Sequence, residues 1–233
     1  MTASTGRLRD PRQRAERATR ILDVTADLLL RHGHRKVSID DVAAGAGIGK
    51  GTVYLHWKTR EQLFAAVFAR DVLTALDELR AALRRQPETC LPHRFAHAFY
   101  LAATARPLLR GFLLADPHLL GRLTAGSGSG REERHAELTR GWFRLLAEHG
   151  LLREDLSAAD IAHAYQATFE GFLCADHGDR DTDQQAELLA RTVQRAFEHD
   201  RAPGDDVLSA VATALAALLD EVITTDRAEF GLP

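Results

Sequence analysis

Residues 37–64 read VSIDDVAAGAGIGKGTVYLHWKTREQLF, and this stretch decides the fold. Ser38 and Asp41 stand three residues apart, a spacing that predicts a capping box at the start of a short helix. Gly45-Ala46-Gly47 predicts a turn, because glycine adopts a positive φ without steric cost. Another short helix is predicted over residues 48–55. Two short helices joined by a glycine-containing turn are typical of a helix-turn-helix unit.

The second of these helices has a composition that packing alone does not require. Each glycine costs about 1 kcal/mol relative to alanine inside a helix, yet the helix opens with Gly49-Lys50-Gly51-Thr52. A backbone without side chains can lie close to base edges, while lysine can donate to guanine and the threonine methyl can contact thymine. A hydroxyl, an imidazole and an ammonium follow where they can reach phosphates: Tyr54, His56 and Lys58.

Positive charge is concentrated around this stretch. Residues 1–60 carry twelve Lys or Arg and six Asp or Glu, a balance of +6, whereas the remaining residues carry eighteen and twenty-seven, a balance of −9. A basic head on an acidic body is expected when only the head meets a polyanion. The N-terminus has no apolar signal core, and the longest uncharged apolar stretch, residues 207–219, is shorter than the roughly 20 residues a bilayer needs. We therefore expect a cytoplasmic protein without a membrane partner.

The helix-turn-helix stretch resembles the TetR (tetracycline-repressor) family of bacterial regulators. The resemblance covers about residues 14–68 and departs from the family pattern at two positions. Trp57 stands where Phe is usual, and Arg60 stands where a phosphate-contacting Lys is usual. The matching residues are Ser38-Ile39, Val42-Ala43, Ala46-Gly47-Ile48, Lys50-Gly51-Thr52, Tyr54, His56-Trp57 and Leu63.

This resemblance implies a homodimer with a four-helix interface, and a palindromic double-stranded DNA operator with half-sites about one DNA turn apart. It also implies a small-molecule effector that binds in the C-terminal body, spreads the two heads and releases the DNA. Repression is the family default. The residue types and the resemblance together predict DNA contacts from Ser38, Lys50, Gly51, Thr52, Tyr54, His56, Lys58 and Arg60.

Helical periodicity in almost every segment predicts an all-α fold. We expect an N-terminal three-helix DNA-binding head joined to a larger helical bundle that binds a ligand and dimerises. The predicted divisions are a flexible basic arm (1–13), the helix-turn-helix domain (14–60) and the ligand-binding and dimerisation domain (61–233). A long fourth helix is predicted to start at a second capping box, Thr59 with Gln62. Residues 126–130 are expected to form a loop tip. Besides this helix and the two short ones, predicted helices cover residues 14–32, 91–105, 107–115, 131–149, 157–176, 182–199 and 205–224.

Aromatic residues are frequent in the body and are compatible with either a core or a ligand cavity. Candidate cavity residues are Phe95, Phe99, Trp142, Gln166 and Phe169. Residues 157–176 and 182–199 have broad apolar faces, for which a dimer interface is our hypothesis. The alternative is interior packing beneath the final helix.

Other kinds of site have weaker support. Gly45 to Thr52 superficially resembles a phosphate-binding loop, but the residue after Lys50 is Gly and no strand precedes it. His93 and His97 are spaced like a metal pair, yet no third ligand is identifiable, so we expect no metal. No catalytic set or cofactor motif is present, and we expect no enzyme and no cofactor. The alternative function is a helical protein-interaction module whose basic head binds a protein partner.

Overall fold

A computed structural model describes residues 11–121, 130–175, 181–200 and 202–233. Within these ranges the chain folds into eleven α-helices and one 3₁₀ turn, Pro87–Cys90, which confirms the all-α prediction. The loop tip predicted at residues 126–130 lies outside the described residues, apart from Gly130, and so does the arm up to residue 10. The helices are α1 Pro11–His32, α2 Ile39–Gly45, α3 Lys50–His56, α4 Arg60–Arg85, α5 Pro92–Thr104, α6 Pro107–Leu113, α7 Pro117–Leu120, α8 Gly130–Glu148, α9 Ala158–Cys174, α10 Thr182–Phe197 and α11 Asp205–Glu229.

Several boundaries differ from the sequence prediction. Helix α1 begins at Pro11, so residues 11–13 of the predicted arm are helical; proline suits a first helical turn because its missing N–H is not needed there. Helix α3 begins at Lys50 rather than residue 48, because Gly49 is its N-cap. The short helix α7 was not predicted.

The two capping boxes had different outcomes. Ser38 Oγ accepts from the Asp41 amide and the Asp41 carboxylate accepts from the Ser38 amide, so the first box is confirmed. Thr59 accepts from the Gln62 amide, but the Gln62 side chain accepts from the Lys58 amide instead of Thr59, so the second box is only half formed.

Two hydrophobic clusters fill the interior. The head core joins α1, α2 and α3 to the start of α4 and to α6 and α7, and the body core joins α4 and α5 to helices α8–α11. Helix α4 runs through both, and its residues up to Phe68 belong to the head core, beyond the division predicted at residues 60 and 61. Phe112 on α6 packs against both clusters. The head and body are therefore packed together rather than linked by a free segment.

Polar contacts also join the head to the body. Asp23 pairs with Arg70 on α4 at 2.6 Å, and the His34 amide donates to the His118 carbonyl on α7 at 3.1 Å. The Trp57 Nε1–H donates to the Phe230 carbonyl, just after α11, at 3.1 Å. Trp57 is only 4% exposed, so the larger aromatic ring occupies a core position as the sequence suggested. The bond to the chain's last helix was not predicted.

Among the helices in the described part of the chain, α11 alone has the length and the apolar composition that crossing a membrane would require. One face of it is buried against α4 and α8. Asp226, near its end, is 1% exposed and accepts from Arg134 at 2.5–2.9 Å and from His135 at 2.8 Å, both on α8. A buried carboxylate is retained because it is paired in this way, and the helix has the environment of a core helix.

Candidate nucleic-acid interface and ligand cavity

Helix α3 presents most of its surface outward. Val53 is its buried anchor in the head core, whereas Lys50, Gly51 and Tyr54 are exposed. A Cβ atom added to Gly49 or Gly51 would meet nothing within 4 Å. Neither packing nor backbone conformation in the free protein therefore explains these two glycines. Close approach of another molecule to the α3 backbone does explain them.

Glycine has a different role in the turn before α3. Gly47 has φ +66°, a conformation that other residues rarely adopt. A Cβ on Gly45 would lie 2.7 Å from Val24 on α1, so this glycine permits the close packing of α2 on α1. Ala46 is buried at the turn, whereas Ala44 is exposed.

Lys50 forms an ion pair across the turn with Asp40 on α2, at 2.8 Å from Nζ to Oδ2. The hydrogen bond and charge of Asp40 raise the pKa of Lys50. Both side chains are exposed, so the pair is weak and the lysine can exchange Asp40 for another acceptor. A base edge or a phosphate in the same place would meet a charged, accessible ammonium.

The far end of α3 carries the residues predicted to reach phosphates. Tyr54 and Lys58 are exposed, and His56 is half-buried with its ring stacked on Trp57 at 5.4 Å between centroids. Burial, together with the charges of Arg14 and Arg17, lowers the pKa of His56 below 6.5. The lowered pKa favours the neutral imidazole, whose single ring N–H can donate to a phosphate. Leu55, 55% exposed beside Tyr54, was not predicted as a surface contact.

Two predicted DNA contacts have roles inside the head. Ser38 donates its amide and hydroxyl hydrogens to Asp41, at 2.9 and 2.6 Å, so in this arrangement no hydrogen-bond donor remains for a phosphate. Arg60 Nη1 donates to the carbonyls of His34 and Val37, at 3.1 and 2.9 Å, and holds the connection between α1 and α2. Ser38 is therefore the N-cap of α2, and its DNA contact stays a prediction. A phosphate contact from the remaining Arg60 donors stays a prediction.

A cavity of about 360 Å³ opens in the body between α4, α5, α6, α8, α9 and α11. It lies at the low end of the range of about 300–1,000 Å³ usual for small-molecule sites. All five residues predicted for a ligand cavity line it: Phe95, Phe99, Trp142, Gln166 and Phe169. The rings contact one another, with Phe95 and Trp142 at 4.5 Å and Phe99 and Phe169 at 5.4 Å between centroids. The cavity has an aromatic wall suited to an apolar ligand.

Polar residues of the cavity wall were mostly missed from the sequence. Arg131, Glu132, His135 and Thr139 come from α8, and Tyr165 and Glu170 accompany Gln166 on α9. Helix α8 begins outside the packed core, and its charged residues there are typical of a solvated helix end. The spacing i, i+4 from Arg131 to His135 and Thr139, on the face that also carries Trp142, was the available signal.

Comparisons with known proteins agree with the head geometry. Residues 21–67 match the family model described as bacterial regulatory proteins, tetR family. An uncharacterised HTH-type transcriptional regulator of Mycobacterium tuberculosis is 38% identical over 63 residues, 27% of this chain and 31% of the relative. The HTH-type transcriptional activator FasR of Mycolicibacterium smegmatis is 30% identical over 71 residues, 30% of this chain and 32% of FasR. The chain thus matches about a third of the length of these relatives.

The matched segment contains the complete helix-turn-helix and the start of α4. The N-terminal head thus matches the TetR family. Over about four fifths of the chain the fold is also similar to solved structures of bacterial regulators, at low sequence identity. NalD of Pseudomonas aeruginosa, described as the secondary repressor of a multidrug efflux pump, has a TM-score of 0.58 at 19% identity over 80% of this chain and 98% of NalD. The fatty acid degradation regulator FadR of Bacillus halodurans has a TM-score of 0.60 at 13% identity over 77% and 95%.

One histidine of the pair spaced like metal ligands, His93, has a structural partner. His93 places Nδ1 2.7 Å from the Glu198 carboxylate, and its amide donates to the same carboxylate at 2.7 Å, so it is packed against another element. Cys90 is buried and Cys174 is exposed, and both are free thiols. Burial raises the pKa of Cys90 to about 12, which makes it an inert core residue.

Proposed function

We propose that this chain is a TetR-type, sequence-specific, DNA-binding transcriptional regulator of the cytoplasm, a repressor released from a palindromic operator by a small-molecule effector. The observation that carries the DNA-binding part is α3, an exposed, glycine-containing helix that starts at Lys50, whose ion pair with Asp40 is exposed to solvent and exchangeable. Lys50, Gly51 and Thr52 face base edges, and Tyr54, His56 and Lys58 face phosphates. The mechanism needs no covalent chemistry, because phosphate contacts position the head and base contacts specify the site.

Selection from a pool of random duplexes tests the proposal, followed by gel shifts on the selected sequence and on the DNA upstream of the chain's own gene. We expect a two-fold symmetric site and an affinity that falls steeply with salt. A chain that selects no sequence from the pool would contradict the proposal. A reporter gene behind the selected site tests the sign of control, since NalD is described as a repressor and FasR as an activator.

Lys50→Ala is the decisive substitution. We expect it to lower the ratio of operator to unrelated-DNA affinity about tenfold or more, because a base contact is worth about 1–3 kcal/mol. Lys36→Ala is the charge-matched control, since Lys36 lies beside His118 where the head meets the body. Equal losses of specificity in the two variants would show that α3 is not the recognition helix.

A dimer is the assembly that a two-fold operator requires. Helix α10 packs against α5 through one face and exposes the other, where Leu188 is 42% exposed. Helix α9 lies beside it and exposes Ala167 and Gly171, small residues that permit close approach. Helix α11 packs on the opposite elements, α4 and α8, so it does not cover this face. We assign the exposed faces of α9 and α10 to the dimer interface; a monomer at micromolar concentration in sedimentation would refute the assignment.

Release of DNA by an effector requires a path from the cavity to the head. Phe112 lines the cavity, and its ring centroid lies 6.4 Å from that of Phe68 in the head core. The helix that carries it is followed by α7, whose His118 is bonded to His34 of the head. A ligand that displaces Phe112 would therefore move a residue on which the head is packed. It would bind one arrangement of head and body better than the other, and only such a difference in affinity can shift the balance between them.

A further inference from the structure

Two polar groups of the cavity wall are buried or partly buried and have no hydrogen-bond partner in the described part of the chain. The Tyr165 side chain is 7% exposed, and its hydroxyl oxygen is buried and unpartnered. The Arg131 guanidinium forms no ion pair or hydrogen bond among the described residues; it stands over the rings of Phe112 and Phe230, at 4.4 and 5.8 Å. A buried polar group without a partner is costly and indicates a place prepared for one.

The other polar groups of the cavity are already engaged or face solvent. His135 Nε2 lies 2.8 Å from the Asp226 carboxylate, and Thr139 donates to the His135 carbonyl at 3.1 Å. Gln166 Nε2 donates to Glu170 at 2.9 Å. Glu170 and Glu132 are exposed. Arg131 is therefore the charged group of the wall that is partly buried and has no hydrogen bond or ion pair among the described residues. Burial lowers its pKa, and the nearby charges of Asp226, Glu132 and Glu229 act in the opposite direction.

We propose that the effector is an apolar monocarboxylic acid, with its carboxylate on Arg131 and its hydrocarbon body among the rings of Phe95, Phe99 and Trp142. The identification as an effector rests on the proposed function, whereas binding of the acid does not. Guanidinium matches a carboxylate with two parallel N–H donors, and the apolar walls around it strengthen the pairing. The buried Tyr165 hydroxyl offers one further hydrogen bond to an oxygen of the ligand.

The position of Arg131 also connects ligand binding to the head. Phe112, under the guanidinium, packs on Phe68 of the head core. Phe230, its second ring contact, accepts the Trp57 hydrogen bond through its carbonyl oxygen. A carboxylate that draws the guanidinium towards the cavity removes its contact with both rings. Both residues are among those through which the body holds the head.

Calorimetric titration of the full chain, without DNA, tests the ligand class. The probes are decanoate and naphthylacetate, each compared with the alcohol and the amine of the same hydrocarbon skeleton. We expect the acids to bind about tenfold or more tightly than the alcohols, the ratio expected of one charge-assisted pair. Tighter binding of the amines than of the acids would overturn the proposal and would assign the site to Glu132 and Glu170. Equal affinities of acid and alcohol would also overturn the proposal.

Variants on α8 locate the carboxylate. Arg131→Met should remove the preference for acid over alcohol and leave the affinity for the alcohol unchanged, while Arg131→Lys should retain part of the preference. Arg140→Met is the matched control, because Arg140 is an exposed arginine of α8 engaged with Glu133 and Glu137. Persistence of the preference in a folded Arg131→Met variant would overturn the assignment to Arg131. The comparison of probes on the unaltered chain decides the ligand class even if that variant does not fold.

The two proposals fail in different ways. Binding of the acids with no effect on a protein–operator gel shift would refute ligand release and leave the cavity assignment intact. Normal operator binding by a chain that binds neither acid would leave the DNA-binding proposal intact and refute the ligand class.

Discussion

Gly51 occupies a position in α3 where the fold of the free protein does not require a glycine. Its backbone is in an ordinary helical conformation, and the space beside it is open. Glycine at such a site lowers stability, so its presence points to a partner outside the chain. The same reasoning separates Lys50, whose exposed ion pair can be exchanged, from Ser38, whose donors are used within the cap.

Gly51→Ala should therefore have opposite effects on folding and on binding. We expect the free energy of unfolding to rise by up to about 1 kcal/mol, because alanine has the higher helix propensity. Affinity for the operator should fall, since the new methyl group separates α3 from the base edges. Urea unfolding and gel shifts on the same preparation measure the two effects. Unchanged operator affinity would mean that the α3 backbone does not approach DNA closely.

His56 predicts a pH dependence of stability. Its pKa in the folded head is lowered below 6.5 by burial and by Arg14 and Arg17, so the unfolded chain binds the proton more readily. The contribution of His56 to the free energy of unfolding is therefore complete above its pKa in the unfolded chain. It is lost as the pH falls below about 6.5. We expect His56→Gln to lose less stability than the unaltered chain between about pH 7.5 and pH 5.5. Urea midpoints measure this, with exposed His149→Gln as the control; identical acid losses in His56→Gln and the unaltered chain would contradict it.

At the scale of elements, α11 does more than complete the body core. It pairs with α8 through the buried Asp226 and with α4 through Asp220 and Arg80. Immediately after it, the Phe230 carbonyl receives the Trp57 indole, and Leu232 packs against both cores. Tryptophan in place of the family's usual phenylalanine supplies the one N–H donor that this contact needs.

A double-mutant cycle tests the contact between α3 and the end of α11. Trp57→Phe should lower the free energy of unfolding by about 1–2 kcal/mol, through the lost hydrogen bond and the smaller ring. In a chain that ends after Glu229, which lacks the acceptor, the same substitution should cost less. The difference between the two costs, from urea unfolding, is the coupling. Equal costs in both backgrounds would show that the bond to Phe230 contributes nothing.

At the scale of the whole molecule, the positions of α9, α10 and α11 divide the body surface. Helix α11 closes the side next to α4, and the outer faces of α9 and α10 stay open on another side. Operator binding by two heads depends on how the bodies are joined. A substitution on the α9–α10 face should therefore lower the affinity for DNA although it leaves the head unchanged.

Leu188→Asp places a charge on this face. We expect the dimer to dissociate at micromolar concentration and operator affinity to fall about a hundredfold or more, since each head then binds its half-site alone. Leu30→Asp, on an exposed leucine of α1, is the control for oligomeric state. Sedimentation velocity and gel shifts measure the two effects. A Leu188→Asp chain that sediments as the unaltered chain does would exclude α10 from the interface.

Local sequence determined the head almost completely. The cap at Ser38, the turn at Gly47 and the helix opening at Lys50 depend on neighbours within a few residues, and such short-range rules can be applied without the fold. The aromatic residues of the predicted body helices also indicated the cavity wall, because large rings inside a helical body line either a core or a ligand cavity.

Tertiary structure alone decided which of these features act together. Arg131 stands over the rings of Phe112 and Phe230, and Trp57 donates to the carbonyl of Phe230. Arg60 donates to the carbonyls of His34 and Val37. These partners lie far apart in the chain or on differently oriented elements, so no periodicity relates them. Helix propensity and capping act over a few residues, whereas packing brings distant residues into contact; the sequence therefore identified the DNA-binding head, and the packed body revealed the unengaged cation in the cavity.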